Sequence, residues 1–240
     1  MVGEIQGREH PEQVVMLGAH LDSWDLGTGA LDNGCNAALV IAAARAIQAS
    51  GLRPRSTIRF VLFSGEEQGF QGSRAYVRQH RTELDQLRAM VVVDAGVGRI
   101  TGFWLSGRSD LLEPLTELLR PLGAFDATQL SLSGSLGTDN VDFMLEGVPT
   151  LLADQEPANY MQNYHASSDT YDKVDLRQLA QNVAVAAATT FAIADRAEPL
   201  GARLSRADIA QLLERTGLAV DMKATGLWEA WAAGQRGRAP

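Results

Sequence analysis

Three runs of the chain, Val14–Gly18, Thr57–Phe63 (TIRFVLF) and Ala89–Val93, are apolar at nearly every position. Such uninterrupted runs predict strands buried on both faces of a parallel sheet. Between them, Asn36–Ala49 is rich in Ala, carries Leu39, Ile41 and Ile47, and ends at Ser50-Gly51, which predicts a helix; a second is expected over about Gly72–His80. Further on, Gly102–Ser106 and Pro149–Ala153 read as strands, Asp110–Arg120 and Val141–Leu145 as helices, and Ser131–Asn140 as a Ser- and Gly-rich loop able to cover a site. Leu176–Arg196 is Ala-rich on nearly every side, which predicts a long helix buried against the sheet. Ser205–Leu213 and Met222–Ala232 read as two smaller amphipathic helices ahead of a basic, poorly ordered tail. The alternation of strand and helix argues a three-layer α/β/α sandwich on a mostly parallel, mixed sheet.

The three central runs share one feature that packing does not require. Each is followed closely by an acidic or imidazole residue: His20 and Asp22 after the first, Glu66-Glu67 after the second, Asp94 after the third. Asp32 follows a Gly-rich loop, and His165 lies in the polar connection Asn159–Asp175. Ligands of open α/β sheets bind outside the carboxyl ends of strands, so a parallel sheet would gather these seven residues at one edge. Five carboxylates in one cleft repel, and some would protonate unless cations were present. Two divalent ions would balance three ligand carboxylates and a fourth kept as a base. Imidazole with carboxylate suits zinc, and the single cysteine, Cys35, leaves no Cys-rich zinc site and no intramolecular disulfide. Neighbouring side chains in extended backbone point different ways, so Glu66 and Glu67 can divide the work of metal ligand and base. The residues alone do not assign which does which. Asp22, two places after His20, is placed to orient its imidazole. His10 and His80 have no such context and read as surface histidines. Trp24 could shape a pocket or pack a loop, and Trp104, Trp228 and Trp231 read as packing residues.

At 240 residues the chain is expected to form one substantial domain. A formal net charge of −8 argues against general affinity for nucleic acid or anionic membrane. The strongest apolar stretch, Val183–Ala194, is shorter than the ~20 residues that span a bilayer. The opening MVGEIQGREHPEQVV has no signal-peptide order and reads as a short strand and a polar turn, as though an upstream portion preceded it.

Six motifs, HLDSWD (His20–Asp25), GTGALDNG (Gly27–Gly34), GLRPRSTIRFVLFSGEEQG (Gly51–Gly69), DAG (Asp94–Gly96), GTD (Gly137–Asp139) and YHASSDTYDKVD (Tyr164–Asp175), occur in order. In these the chain resembles the co-catalytic zinc exopeptidases that include bacterial leucyl aminopeptidases, and most closely their carboxypeptidase Q (plasma glutamate carboxypeptidase) branch. The resemblance implies two zinc ions: His20 and Asp94 on one, Glu67 and His165 on the other, and Asp32 bridging. It implies Glu66 as general base, Asp22 as partner of His20, Tyr164 as a hydrogen-bond donor to the oxyanion, and Asp139 as a substrate contact. It further implies a catalytic unit over residues 1–200 with a helical extension over 201–240, a short peptide as substrate, and a secreted or periplasmic setting, and it allows a homodimer. The upstream elements and the inserted domain of that branch are not in the sequence. Dipeptidase or carboxypeptidase action leads; a broader aminopeptidase, a single-zinc glutaminyl cyclase and an inert binding domain on the same fold are the alternatives.

Overall fold

Alternation along one strand explains how the apolar runs serve two layers at once. In the computed structural model, which describes residues 1–239, strand β2 (His10–His20) sends Val15, Leu17 and Ala19 to one face of the sheet and Val14 and Met16 to the other. Seven strands form one mixed sheet: β1 (Val2–Ile5), β2, β3 (Ser56–Phe63), β4 (Leu87–Val92), β5 (Ile100–Trp104), β6 (Gln129–Ser131) and β7 (Thr150–Gln155). Their spatial order is β1-β3-β2-β4-β7-β5-β6. The central four, β3, β2, β4 and β7, are parallel, while β1 on β3 and β5 on β7 are antiparallel. The three-layer expectation therefore holds, with antiparallel members at both flanks.

One face is covered by α1 (Cys35–Ser50), α3 (Leu112–Leu119) and α6 (Leu176–Asp195), whose Leu39, Ala43, Leu115, Val185 and Ile193 join the larger core. Asp175 caps α6, accepting hydrogen bonds from the Arg177 and Gln178 amides at 2.9 and 3.0 Å. The opposite face is covered by α2 (Gln71–Gln79) and α4 (Val141–Leu145), through Val77 and Phe143. A one-turn helix, α5 (Tyr160–Asn163), leads into the loop that carries His165. Among the described residues, no helix is long and apolar enough to cross a membrane.

Three expectations change. β6 is not among the expected strands and runs up to the first residue of the expected loop, because three residues paired to β5 are too few for a hydrophobic period to register. The C-terminal segment forms three helices instead of two, α7 (Arg206–Thr216), α8 (Leu218–Ala224) and α9 (Leu227–Ala232), broken at Gly217 and Gly226 with φ of 79° and 74°. The tail beyond them is tied down. The Arg236 guanidinium donates to both Asp142 carboxylate oxygens at 2.7 and 2.6 Å, and the Arg238 amide to the Leu145 carbonyl at 2.9 Å. Ile209, Leu213, Leu218, Met222 and Trp231 complete an apolar cluster with Val141, Met144 and Leu145 of α4.

Candidate metal centre

The parallel register brings the expected residues to one edge. His20 pairs with Phe63 and Gly18 with Val92, so His20, the Ser64–Glu67 turn and Asp94 all emerge from the same end of β2, β3 and β4. Asp32 sits in the tight turn Ala30–Gly34 that enters α1, with non-helical φ and ψ of −119° and 88°. His165 follows α5 at φ 51°. His20 Nε2 lies 3.0 Å from Asp94 Oδ1 and 3.2 Å from Asp32 Oδ1. His165 Nε2 lies 3.0 Å from Glu67 Oε2 and 3.3 Å from Asp32 Oδ2. Asp32 thus turns one oxygen to each histidine. Among the described residues, three sets of donor atoms fall within 4.8 Å of one another and could hold an ion: His20, Asp32 and Asp94; Asp32, Glu67 and His165; and His20, Glu66 and Glu67.

The electrostatics of the bare cluster ask for positive charge. Burial, then Asp94, push the Glu66 carboxyl up to about 9, although His20 opposes the shift. Burial likewise raises Asp94 and Glu67, with Asp32 adding to Glu67. His20 is driven the other way from an ordinary buried imidazole: burial favours its neutral form, but hydrogen bonds with Asp32 and Asp94 prevail and push it up to about 12. Asp32 Oδ2 and Glu67 Oε1 are buried with no hydrogen-bond partner. Imidazole nitrogens and orphaned carboxylate oxygens facing one another form a donor set suited to zinc, so the residues present fit that ion.

The supports are more specific than the motifs suggested. His20 Nδ1 meets the Asp22 carbonyl at 2.9 Å, while the nearer Asp22 carboxylate oxygen is 3.9 Å away. That carboxylate accepts instead from the Glu66 and Glu67 amides at 3.2 and 3.3 Å. Asp22 thus meets His20 through its carbonyl, while its side chain is engaged by the neighbouring turn. The Asp94 turn is held by neutral amides. Gln155 donates to the Gly96 carbonyl at 2.7 Å and accepts from the Ala95 amide at 3.2 Å, Asn36 donates to the same Gly96 carbonyl at 3.0 Å, and Asn182 donates to the Gly98 carbonyl at 2.8 Å. Gly96 adopts φ +73°, and a Cβ there would come within 2.7 Å of the Tyr160 ring. Sequence reasoning passed over Gln155, Asn182 and Tyr160; only the positions of Gln155 at a strand end and Tyr160 near His165 offered a signal.

A cavity of about 420 Å³ opens on the cluster. Its walls include His20, Asp32, Glu66, Glu67, Asp94 and His165, with Trp104, Leu152, Tyr160 and Met161 forming an apolar side and Asp154 beside them. Trp104 is thus a cavity residue as well as a packing one. Tyr164 lines the cavity and stacks on His165 with ring centroids 3.7 Å apart, and Trp24 tilts against the same imidazole at 5.5 Å. Burial, then the Asp32 and Glu67 charges, push the Tyr164 hydroxyl up to about 12, which keeps it a donor. Asp139 is corrected: it is 1% exposed and lies behind the wall, where Thr138 and Gly137 face the cavity in its place. Burial, then Asp94, push its carboxyl up to about 7.

Residues 1–190 match the model of peptidase family M28. Carboxypeptidase Q of Homo sapiens is 36% identical over 202 residues, an alignment covering 83% of this chain and 42% of that protein. The crystal structure of a peptidase M28 precursor from Shewanella amazonensis superposes with a TM-score of 0.77 at 33% identity, covering 85% of this chain and 46% of that one. A zinc aminopeptidase from Bacillus subtilis has the same fold, with a TM-score of 0.67 at 22% identity over 85% of this chain and 52% of that one. The chain spans less than half the length of the curated relative it matches.

Proposed function

The chain belongs to peptidase family M28, and from that premise we propose that it is a two-zinc exopeptidase that hydrolyses the terminal peptide bond of dipeptides or short peptides. The observation that carries this reading is Asp32, which offers one oxygen to His20 and the other to His165 between two complete donor sets. His20, Asp94 and one oxygen of Asp32 would hold one ion; Glu67, His165 and the other oxygen of Asp32 the second. When bound, such ions lower the pKa of water and polarise a carbonyl.

The remaining steps fall to the chain's own groups. Glu66, at the cavity wall and 8% exposed, takes the proton from the attacking water and returns it to the leaving nitrogen. Burial and the Asp94 charge raise its proton affinity in the bare cluster, so its charged form is favoured by positive neighbours. The Asp22 carboxylate holds the Glu66 and Glu67 amides, so that the two side chains diverge from a fixed turn. Tyr164 donates its hydroxyl hydrogen to the oxyanion. Residues 1–200 form the catalytic unit in this reading and 201–240 an extension, whose helices α7, α8 and α9 pack on α4.

A second reading, an aminopeptidase of broader specificity, is favoured by the cavity wall, where Asp154 suits an ammonium group beside the apolar Trp104, Leu152 and Met161. The test is hydrolysis of unblocked dipeptides by the purified chain, after chelation, and after zinc is restored. Activity should vanish with the metal and return with zinc; a folded, zinc-loaded chain without activity on any member overturns the proposal. N-acetylated dipeptides and aminoacyl anilides separate the two readings: cleavage of anilides favours the second.

A further inference from the structure

Asp169 is a buried acid that the chemistry above leaves unused. It is 4% exposed, and it lies four residues beyond His165. Its Oδ1 accepts a hydrogen bond from the Leu31 amide at 2.6 Å and its Oδ2 one from the Asp32 amide at 3.0 Å. Its carbonyl accepts from the Thr28 amide at 2.9 Å and from the Thr28 hydroxyl at 3.1 Å. At Gly27 the two loops meet backbone to backbone: a Cβ there would fall 2.7 Å from the Ala166 carbonyl oxygen and 2.8 Å from that of Asp169. One residue thus fastens the loop carrying His165 to the turn carrying Asp32.

The non-helical backbone at Asp32 leaves its orientation to be set from outside any helical ladder. Charge-assisted bonds to two successive amides fix the peptide plane from which the Asp32 side chain departs. We infer that Asp169 is a positioning residue that sets the separation of Asp32 from His165, so that the shared carboxylate reaches both donor sets at once. The inference rests on the zinc reading above. Both Asp169 oxygens are taken by these amides, so it acts through the Asp32 peptide and not as a ligand.

The test compares the full chain with Asp169→Asn, Asp169→Ala, Gly27→Ala and Thr28→Val. Zinc affinity is measured by competition with a chromophoric chelator, and site geometry by the visible spectrum of the cobalt(II)-substituted protein. Asp169→Asn keeps the size but turns an NH2 group toward a backbone N–H. It should weaken zinc about tenfold or more, as loss of a group that orients a ligand does elsewhere, and should alter the cobalt spectrum at equal occupancy. Thr28→Val keeps the carboxylate contacts and the Thr28 amide bond and removes only the hydroxyl bond to the Asp169 carbonyl, so both readouts should move less than in Asp169→Asn; an equal or larger effect would assign the positioning to the backbone strap and overturn the role of the carboxylate. Wild-type zinc affinity and spectrum in Asp169→Asn overturn the inference. Should both Asp169 variants fail to fold, Gly27→Ala decides, because it forces the same loops apart without touching a carboxylate: unchanged zinc affinity there overturns the inference equally. A wild-type chain that takes up no zinc refutes the zinc reading itself, an outcome distinct from all of these.

Discussion

Replacing Arg236 with Met removes one half of a buried fork. The guanidinium donates through Nε and Nη2 to the two oxygens of Asp142, with Arg236 7% exposed and Asp142 2%. Without it the carboxylate stays buried among Val141, Phe143 and Met144 and has lost its cation. Breaking a buried pair from one side costs about 3–5 kcal/mol, far more than the net worth of the intact pair, because the abandoned charge keeps its desolvation penalty. At roughly 2–4 °C per kcal/mol for a chain of this size, the melting temperature should fall by roughly 6–20 °C. The pair Arg236→Met with Asp142→Leu removes both charges and should recover most of that loss, which makes a double-mutant cycle the appropriate measurement. Melting should be followed at fixed zinc, since a bound ion adds its own stabilisation. A single variant within about 1 kcal/mol of wild type, or a double variant no better than the single one, would refute the reasoning.

Three further outcomes are expected. Glu66→Gln should leave the zinc content near wild type by elemental analysis yet lower kcat by roughly 10²–10⁴; near wild-type turnover sinks the base assignment. The metal-free protein should lose stability as pH rises from about 4.5, because Glu66 and Asp139 have folded pKa values raised to about 9 and about 7 and therefore bind more protons folded than unfolded. His20, raised to about 12, extends the same sign above neutrality. Zinc binding displaces those protons, so the zinc-induced rise in melting temperature should grow from pH 5.5 to pH 8, and a rise that shrinks would contradict it. Gly96→Ala combines a left-handed φ of +73° with a clash against Tyr160, and should cost about 1–3 kcal/mol in urea unfolding; a neutral result would mean that the turn can relax.

The sheet and the candidate ligands were legible for one reason: a strand buried on both faces is apolar at nearly every position, Arg59 and Arg88 being the exceptions in β3 and β4, so the acidic and imidazole residues that follow it mark its end. His20, Glu66, Glu67 and Asp94 all fall at such ends, and the register of β2 with β3 and β4 makes sequence ends into spatial neighbours. What could not be read is whatever depends on which atom of a residue is used. Asp22 was picked out, but its carbonyl and carboxylate serve different partners. Asp139 sits in a motif beside the cavity yet is buried in the turn that precedes α4, where it feels the Asp94 charge without lining the cavity as Thr138 does. Asp169 lay within a recognised motif, and nothing in composition distinguishes a carboxylate that receives backbone amides from one in solvent. The C-terminal tail looked unstructured because its order comes from contacts distant in sequence, such as Arg236 with an aspartate 94 positions earlier and the Arg238 amide with Leu145.

The chain treats its buried acids in two ways, and the contrast bears on function. Around α4 it neutralises them with arginine: Asp142 takes Arg236, and Glu146, 1% exposed, takes Arg81 at 2.9 Å and Arg203 at 2.6 Å. At the sheet edge it holds acids just as firmly but without arginine or lysine, the imidazoles of His20 and His165 being their basic neighbours. Asp94 is framed by Gln155, Asn36 and Asn182 through the turn that follows it, the Glu66–Glu67 turn by the Asp22 carboxylate, and the Asp32 turn by Asp169. Two of those supports add negative charge to a site that already has an excess. A fold selected for stability alone would gain by placing an arginine there, as it does some residues away. Supports that fix geometry and leave charge unpaired keep the donor atoms free for a cation from solution, and they make the site's stability depend on that cation's arrival. This is why metal content, not the wild-type fold, should set how the melting temperature responds to pH.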